Sequence, residues 1–99
     1  MTISPIELRP PWAQTVTLDT DLLVVELLDG RVLSVPLAWF PRLVAATPTE
    51  RRNWRLVGHG EGIHWPDLDE DISVAGLLAG YASTESQASL KRWLGSRAG

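Results

Sequence analysis

One stretch constrains the fold more than any other. Residues 22–28 read Leu-Leu-Val-Val-Glu-Leu-Leu, residues 29–30 are Asp-Gly, and residues 31–35 are Arg-Val-Leu-Ser-Val. Aliphatic and β-branched side chains on both flanks suit a pleated, half-buried surface, and Asp-Gly tolerates positive φ at both central positions of a two-residue turn. The pattern predicts a β-hairpin. Upstream, residues 13–18 alternate in part, with Val16 and Leu18 separated by Thr17, and Asp19-Thr20-Asp21 supplies a turn. A three-stranded antiparallel meander is therefore expected. Pro5, Pro10 and Pro11 make the preceding segment an extended lead-in or an edge strand, since proline cannot donate to a ladder.

Beyond Pro36 the period becomes helical, with Leu37, Phe40, Leu43 and Val44 on one side of residues 36–46 and Pro41 either in the first turn or at a kink. Thr47-Pro48-Thr49-Glu50 has the form of a capping box and predicts a second short helix ending near Trp54. Residues 54–57 and 63–65 read as strands around Gly58-His59-Gly60-Glu61-Gly62, which predicts a second hairpin. An acidic run, Asp67 to Asp71, leads to a helix over 74–79 capped by Ser73 and stopped by Gly80. Ser83 or Thr84 caps a last helix, Gln87 standing in capping-box position to Thr84, that carries Leu90, Trp93 and Leu94 and ends at Gly95. Strands, helices, strands and helices in that order predict an α+β fold, a small antiparallel sheet of hairpins packed with three to four short helices. With 99 residues, 44% of them hydrophobic, the chain is expected to form a single domain with one core.

Composition removes several classes of function. The absence of cysteine excludes disulfide scaffolds, thiolate zinc sites and cysteine nucleophiles. No apolar run approaches the roughly 20 residues of a membrane span, and the N-terminus lacks signal-peptide character, so a cytoplasmic location is expected. A net charge of −3 disfavours a free-standing nonspecific nucleic-acid binder. No Gly-x-Ser-x-Gly elbow and no Gly-x-Gly-x-x-Gly cradle is present, and no cofactor is expected.

Three constellations remain. His59 and His64 with Asp67, Asp69, Glu70 and Asp71 offer oxygen and nitrogen ligands, but without the spacing of a calcium loop; solvated carboxylates ahead of a helix account better for them. Arg51, Arg52 and Arg55, with Lys91 and Arg92 on the last helix, are candidate phosphate contacts, although stacking on indoles or pairing with acids is the commoner fate of such arginines. The pair of helices over 74–79 and 85–94 loosely resembles a helix-turn-helix, with a packing helix the better account. The five tryptophans, Trp12, Trp39, Trp54, Trp65 and Trp93, are dispersed; any that stays uncovered, Trp93 or Trp12 first, would mark a binding face.

Leu27-x-Asp-Gly-Arg31, Val35-Pro-Leu-x-Trp-Phe-Pro-Arg-Leu43 and Ile63-His-Trp-Pro-x-Leu-Asp-Glu-Asp-Ile-Ser73 together resemble a small bacterial family known as the domain of unknown function 2442. The resemblance covers about residues 15–80. It divides the chain into a lead-in at 1–12, a core at 13–80 and a C-terminal helix and tail at 81–99. It implies a compact α+β domain, found in a longer relative ahead of a helical DNA-binding segment, and a neighbouring gene for a second small protein in an arrangement similar to a toxin and its antitoxin. No catalytic residue comes with it. Arg31, Trp39, Phe40, Arg42, Trp65, Asp69, Asp71 and Trp93 combine the aromatic, guanidinium and carboxylate groups that suit an interface, or a packing joint between sheet and helices. The expectation is a non-catalytic, antitoxin-like interaction module that binds a small protein encoded nearby, with homo-oligomerisation open and no membrane contact. DNA-binding autoregulation, with DNA bound only weakly or indirectly, is the alternative; a small-ligand or metal-dependent enzyme is the third.

Overall fold

The computed structural model describes residues 9–98. Two antiparallel meanders share one core. β1 (Ala13–Leu18), β2 (Leu22–Leu27) and β3 (Val32–Pro36) form the first sheet in the order β1-β2-β3. A 3₁₀ turn at Leu37–Trp39, α1 (Pro41–Ala45) and α2 (Pro48–Arg52) lead to the second sheet, β4 (Arg55–Val57), β5 (Gly62–Trp65) and β6 (Glu70–Ser73), in the order β4-β5-β6. Two helices follow, α3 (Val74–Ala79) and α4 (Gln87–Ala98). The α+β class and the first meander are as the sequence predicts. Residues 1–8 of the proline-rich lead-in lie outside the described residues.

The first hairpin forms at the expected place by a different turn. Leu27 N–H donates to Arg31 O at 2.9 Å and Gly30 N–H to Leu27 O at 3.1 Å, which encloses a three-residue loop. Only Gly30 takes positive φ, +94°, while Asp29 accepts from the Arg31 backbone and guanidinium. A glycine in this position closes a three-residue hairpin with a bulge, so the two-residue turn is not needed.

β2 alternates cleanly, burying Leu23, Val25 and Leu27, whereas β1 buries both Ala13 and Val16. An unbroken strand would send those two side chains to opposite faces. The register slips between Ala13↔Leu27 and Thr15↔Glu26, so Gln14 is an extra residue and the parity of the strand is reset there. Ala13 N–H then donates to Gly60 O at 2.8 Å and joins the first sheet to the β4–β5 turn. Gly60 is buried with φ +96°, and a Cβ on it would lie 2.4 Å from Ala13 O. Only glycine fits there.

Pro41 occupies the first turn of α1 and bends nothing. The Thr47–Glu50 capping box is formed, and α2 stops at Arg52 rather than near Trp54. β6 was not expected: Glu70 and Asp71 of the acidic run extend into a strand with Ile72, whose apolar side chain is drawn into the core. Ser73 does cap α3, accepting from Gly76 N at 3.1 Å, and Gly80 ends it with φ +83°. For α4 the capping side chain is Ser86, which accepts from Ser89 N at 3.1 Å, not Ser83 or Thr84. The helix also continues through Gly95 to Ala98.

Leu23, Val25, Leu43, Ile63, Trp65, Leu68 and Val74 are fully buried between the sheets and helices. The Trp65 indole donates to Arg51 O at 3.1 Å, so its one polar atom is satisfied inside. No described helix is long and apolar enough to cross a membrane.

Candidate interaction site

Arg42 is the hub of the polar structure. Its Nε donates to Glu85 Oε1 at 2.9 Å, and a terminal nitrogen pairs with the same carboxylate. Its other terminal nitrogen donates to Leu68 O at 2.9 Å and Asp69 O at 3.2 Å. These bonds hold the β5–β6 turn, where Asp69 has φ +51°, the one positive φ on a non-glycine among the described residues. Such a conformation persists only where its surroundings fix it. The guanidinium also lies 4.9 Å from the Trp93 ring centroid, and Arg97 lies 4.5 Å from the same ring. Arg97 in turn pairs with both oxygens of Glu50, at 3.0 and 2.7 Å.

A cleft of about 490 Å³ opens beside this hub, between β6 with its preceding turn and the segment 81–85. Asp69, Glu70, Asp71 and Glu85 line it together with Arg42 and Phe40. Burial pushes the Glu70 carboxyl up to about 7, with Arg42 pulling it down and Glu85 and the neighbouring aspartates pushing it further up. Glu50 behaves oppositely. The Arg97 guanidinium first, and the Thr47 amide second, hold it at about 2. Glu85 is likewise held below the usual carboxylate range by Arg42.

The eight predicted interface residues do not form one surface. Trp65, on β5, and Phe40, at the junction of the 3₁₀ turn and α1, are core residues at 0% and 5% exposure. Arg42 is spent on internal bonds, and Arg31 sits on the β2–β3 turn paired with Asp29 at 2.8 Å. Asp71 pairs with His64 at 2.7 Å across the second sheet. Trp39 and Trp93 are half-buried; Arg42, Asp69 and Trp93 come together through the hub, and Phe40 and Asp71 join Arg42 and Asp69 in lining the cleft.

Of the phosphate candidates, Arg51 caps α1 instead, donating to Leu43 O and Val44 O at 2.9 Å each. Arg52, Arg55, Lys91 and Arg92 are exposed. Among the described residues no group of three or more His, Asp or Glu side chains is placed to hold a metal ion, and Asp67 accepts from Asn53 at 2.9 Å. α3 and α4 are separated by residues 80–86, which contain no helix.

Sequence reasoning missed Glu85 and Arg97, and named Glu70 only as a member of the acidic run. Glu70 had a signal, its two-residue offset from Ile72, which puts both on one face of a strand. Glu85 and Arg97 had none, since their partners lie 43 and 47 residues away.

The outer faces of the two sheets complete the picture. Register places Thr15, Thr17, Leu22, Val24, Glu26, Val32, Ser34 and Pro36 on the outward face of β1–β3. Among the described residues Glu26 is the only charged group there, and it accepts from Thr15 Oγ1 at 2.6 Å. Val32 is 61% exposed and Leu22 38%. The outward face of β4–β6 instead aligns Arg55, His64 and Asp71 in one row.

Residues 13–83 match the model of a family described as a protein of unknown function, DUF2442. The chain belongs to this family. A protein of unknown function from Rhodospirillum rubrum, known from its crystal structure, is 28% identical with a TM-score of 0.68, over 80% of this chain and 98% of that one. The solution structure of an uncharacterized protein from Chromobacterium violaceum shares the fold at 24% identity and a TM-score of 0.63, over 82% of this chain and 74% of the other. Comparison with curated proteins returns no match. The DUF2442 match ends before α4, so Glu85, Trp93 and Arg97 lie outside it.

Proposed function

We propose that this DUF2442 chain is a non-catalytic, antitoxin-like interaction module that acts in the cytoplasm by occupying a small protein encoded beside it. One observation carries the reading: the outward face of β1–β3 presents valine, leucine, threonine, serine and proline around a single carboxylate. The solvated face of an antiparallel sheet is ordinarily rich in charge, and an exposed apolar sheet face marks a place where another protein sits. Depletion of charge at the centre of a patch is the compositional mark of an interface core.

The partner would lay an apolar surface over Val24 and Val32, with the threonines at the rim. Co-expression of the chain with its neighbouring gene product, followed by co-purification, tests this. A complex is expected for the native chain and not for Val24→Lys/Val32→Lys, whose circular dichroism should be unchanged. A complex that survives the double substitution, or no complex with the native chain at micromolar concentration, overturns the proposal.

A further inference from the structure

α4 is attached largely through charged side chains, with Trp93 packed against the core. None of its described residues is buried, and Leu94 remains 41% exposed. The helix is held by side chains at three points: Glu85 just ahead of it on Arg42, Trp93 against the Arg42 guanidinium, and Arg97 on Glu50. The receiving groups stand on α1 and α2, and they are already fixed without α4. Arg42 is bonded to the Leu68 and Asp69 carbonyls, and Glu50 belongs to the Thr47 capping box. The receiving surface is thus built before the helix arrives, and its charges match α4 in order. Residues 80–86 between α3 and α4 contain no regular structure, and Ser83 N–H to Trp39 O, at 3.0 Å, ties the stretch to α1's approach.

From these observations, and independently of the sheet face, we propose that the α1–α2 surface is a helix-accepting site, filled by the chain's own α4 in the monomer and by α4 of a second copy in an exchanged dimer. Every contact α4 makes at its own surface is available at the surface of a second copy, because the sequence is the same and the connection at 80–82 is the only part that must redirect. Exchange of an identical element is a low-cost route to a dimer. The tether favours the monomer up to an effective concentration of roughly millimolar. Weakening the contact within one chain, while keeping it available between chains, moves that balance.

Two charge reversals do this. In Glu50→Arg the surface repels its own Arg97; in Arg97→Glu the helix meets its own Glu50. When the two chains are mixed, each helix finds an opposite charge only on the other chain, and both pairs are restored together. Each variant alone is expected to be a monomer of 10.9 kDa by light scattering, with hydrogen-exchange protection of α4 at least tenfold lower than in the native chain. A free helix of this length does not persist in water, so release and loss of protection coincide. The equimolar mixture is expected to run at twice the monomer mass and to recover protection. A synthetic peptide of residues 83–99 provides a second measurement that does not involve altering α2: it should bind the Arg97→Glu chain at least tenfold more tightly than the native chain, whose site is filled. Native protection of α4 in either single variant, a mixture that stays monomeric, or equal binding of the peptide to both chains overturns the proposal.

Discussion

The two sheets have the same three-stranded antiparallel order and contribute to the same core, yet their outer faces differ completely. Inward, Leu23 and Val25 of the first sheet and Ile63 and Trp65 of the second are equivalent in kind: apolar, fully buried, and held by exclusion from water. Outward, the first sheet is almost without charge, while the second carries Arg55, His64 and Asp71 side by side. The inner faces follow from folding alone. The outer faces are not required by it, and it is on the uncharged one that the proposed partner would sit.

The comparison breaks most visibly at the shared core. Trp65→Ala should cost about 3–5 kcal/mol, because it removes a fully buried indole and leaves a cavity together with an unpaired Arg51 carbonyl. Chemical denaturation would measure this, and a loss below 1 kcal/mol would mean that the second sheet does not share the core. Gly60→Ala should come next, at about 2 kcal/mol or more, since the added methyl meets the Ala13 carbonyl and the backbone φ disfavours it. That value measures how firmly the two sheets are joined.

The outer faces should respond weakly in stability and sharply in binding. Val32→Lys on the first sheet and His64→Lys on the second are each expected to change stability by about 0.5 kcal/mol or less. Only the first should weaken a partner complex, which a pull-down reads directly.

Acid and base separate two glutamates in the same way. Glu70 keeps its proton to about 7 in the folded chain and to about 4.5 when unfolded, so the folded state binds more protons between those values and stability falls as pH rises through them. Glu70→Gln should therefore raise the thermal midpoint at pH 8 and raise it least near pH 4.5. Glu50 has the opposite sign: its contribution is present above about 4.5 and is lost as pH falls toward about 2. Glu50→Gln should lower the midpoint at pH 7 and converge with the native chain near pH 2. Thermal melts across this range check both.

Much of this architecture was readable from local chemistry. Asp29-Gly30 marked the first hairpin, Thr47 and Glu50 marked the start of α2, and Ser73 and Gly80 bounded α3, because each signal lies within a few residues of the bond it forms. β6 was not readable in this way. Four carboxylates between Asp67 and Asp71 look like a solvated loop, and only pairing with β5 makes Glu70–Ser73 a strand. The choice between interface and packing joint was unreadable for a related reason. Trp65 and Phe40 are as suited to a surface anchor as to a core in composition, and burial alone separates the two. The uncharged face of β1–β3 lay in plain sight as alternation, but its significance depends on knowing which parity points outward.

That parity turns on Gln14. Because one additional residue there changes the phase of β1, the chain on its N-terminal side is aimed at the β4–β5 turn while the C-terminal side stays in step with β2. Excising Gln14 would give a straight, regular ribbon whose beginning no longer reached Gly60, and the two halves of the molecule would lose their seam. An irregularity of one residue thus sets the seam between two ribbons that also share a core, and shortening or lengthening β1 by one would turn Ala13 away from that core as well as from Gly60.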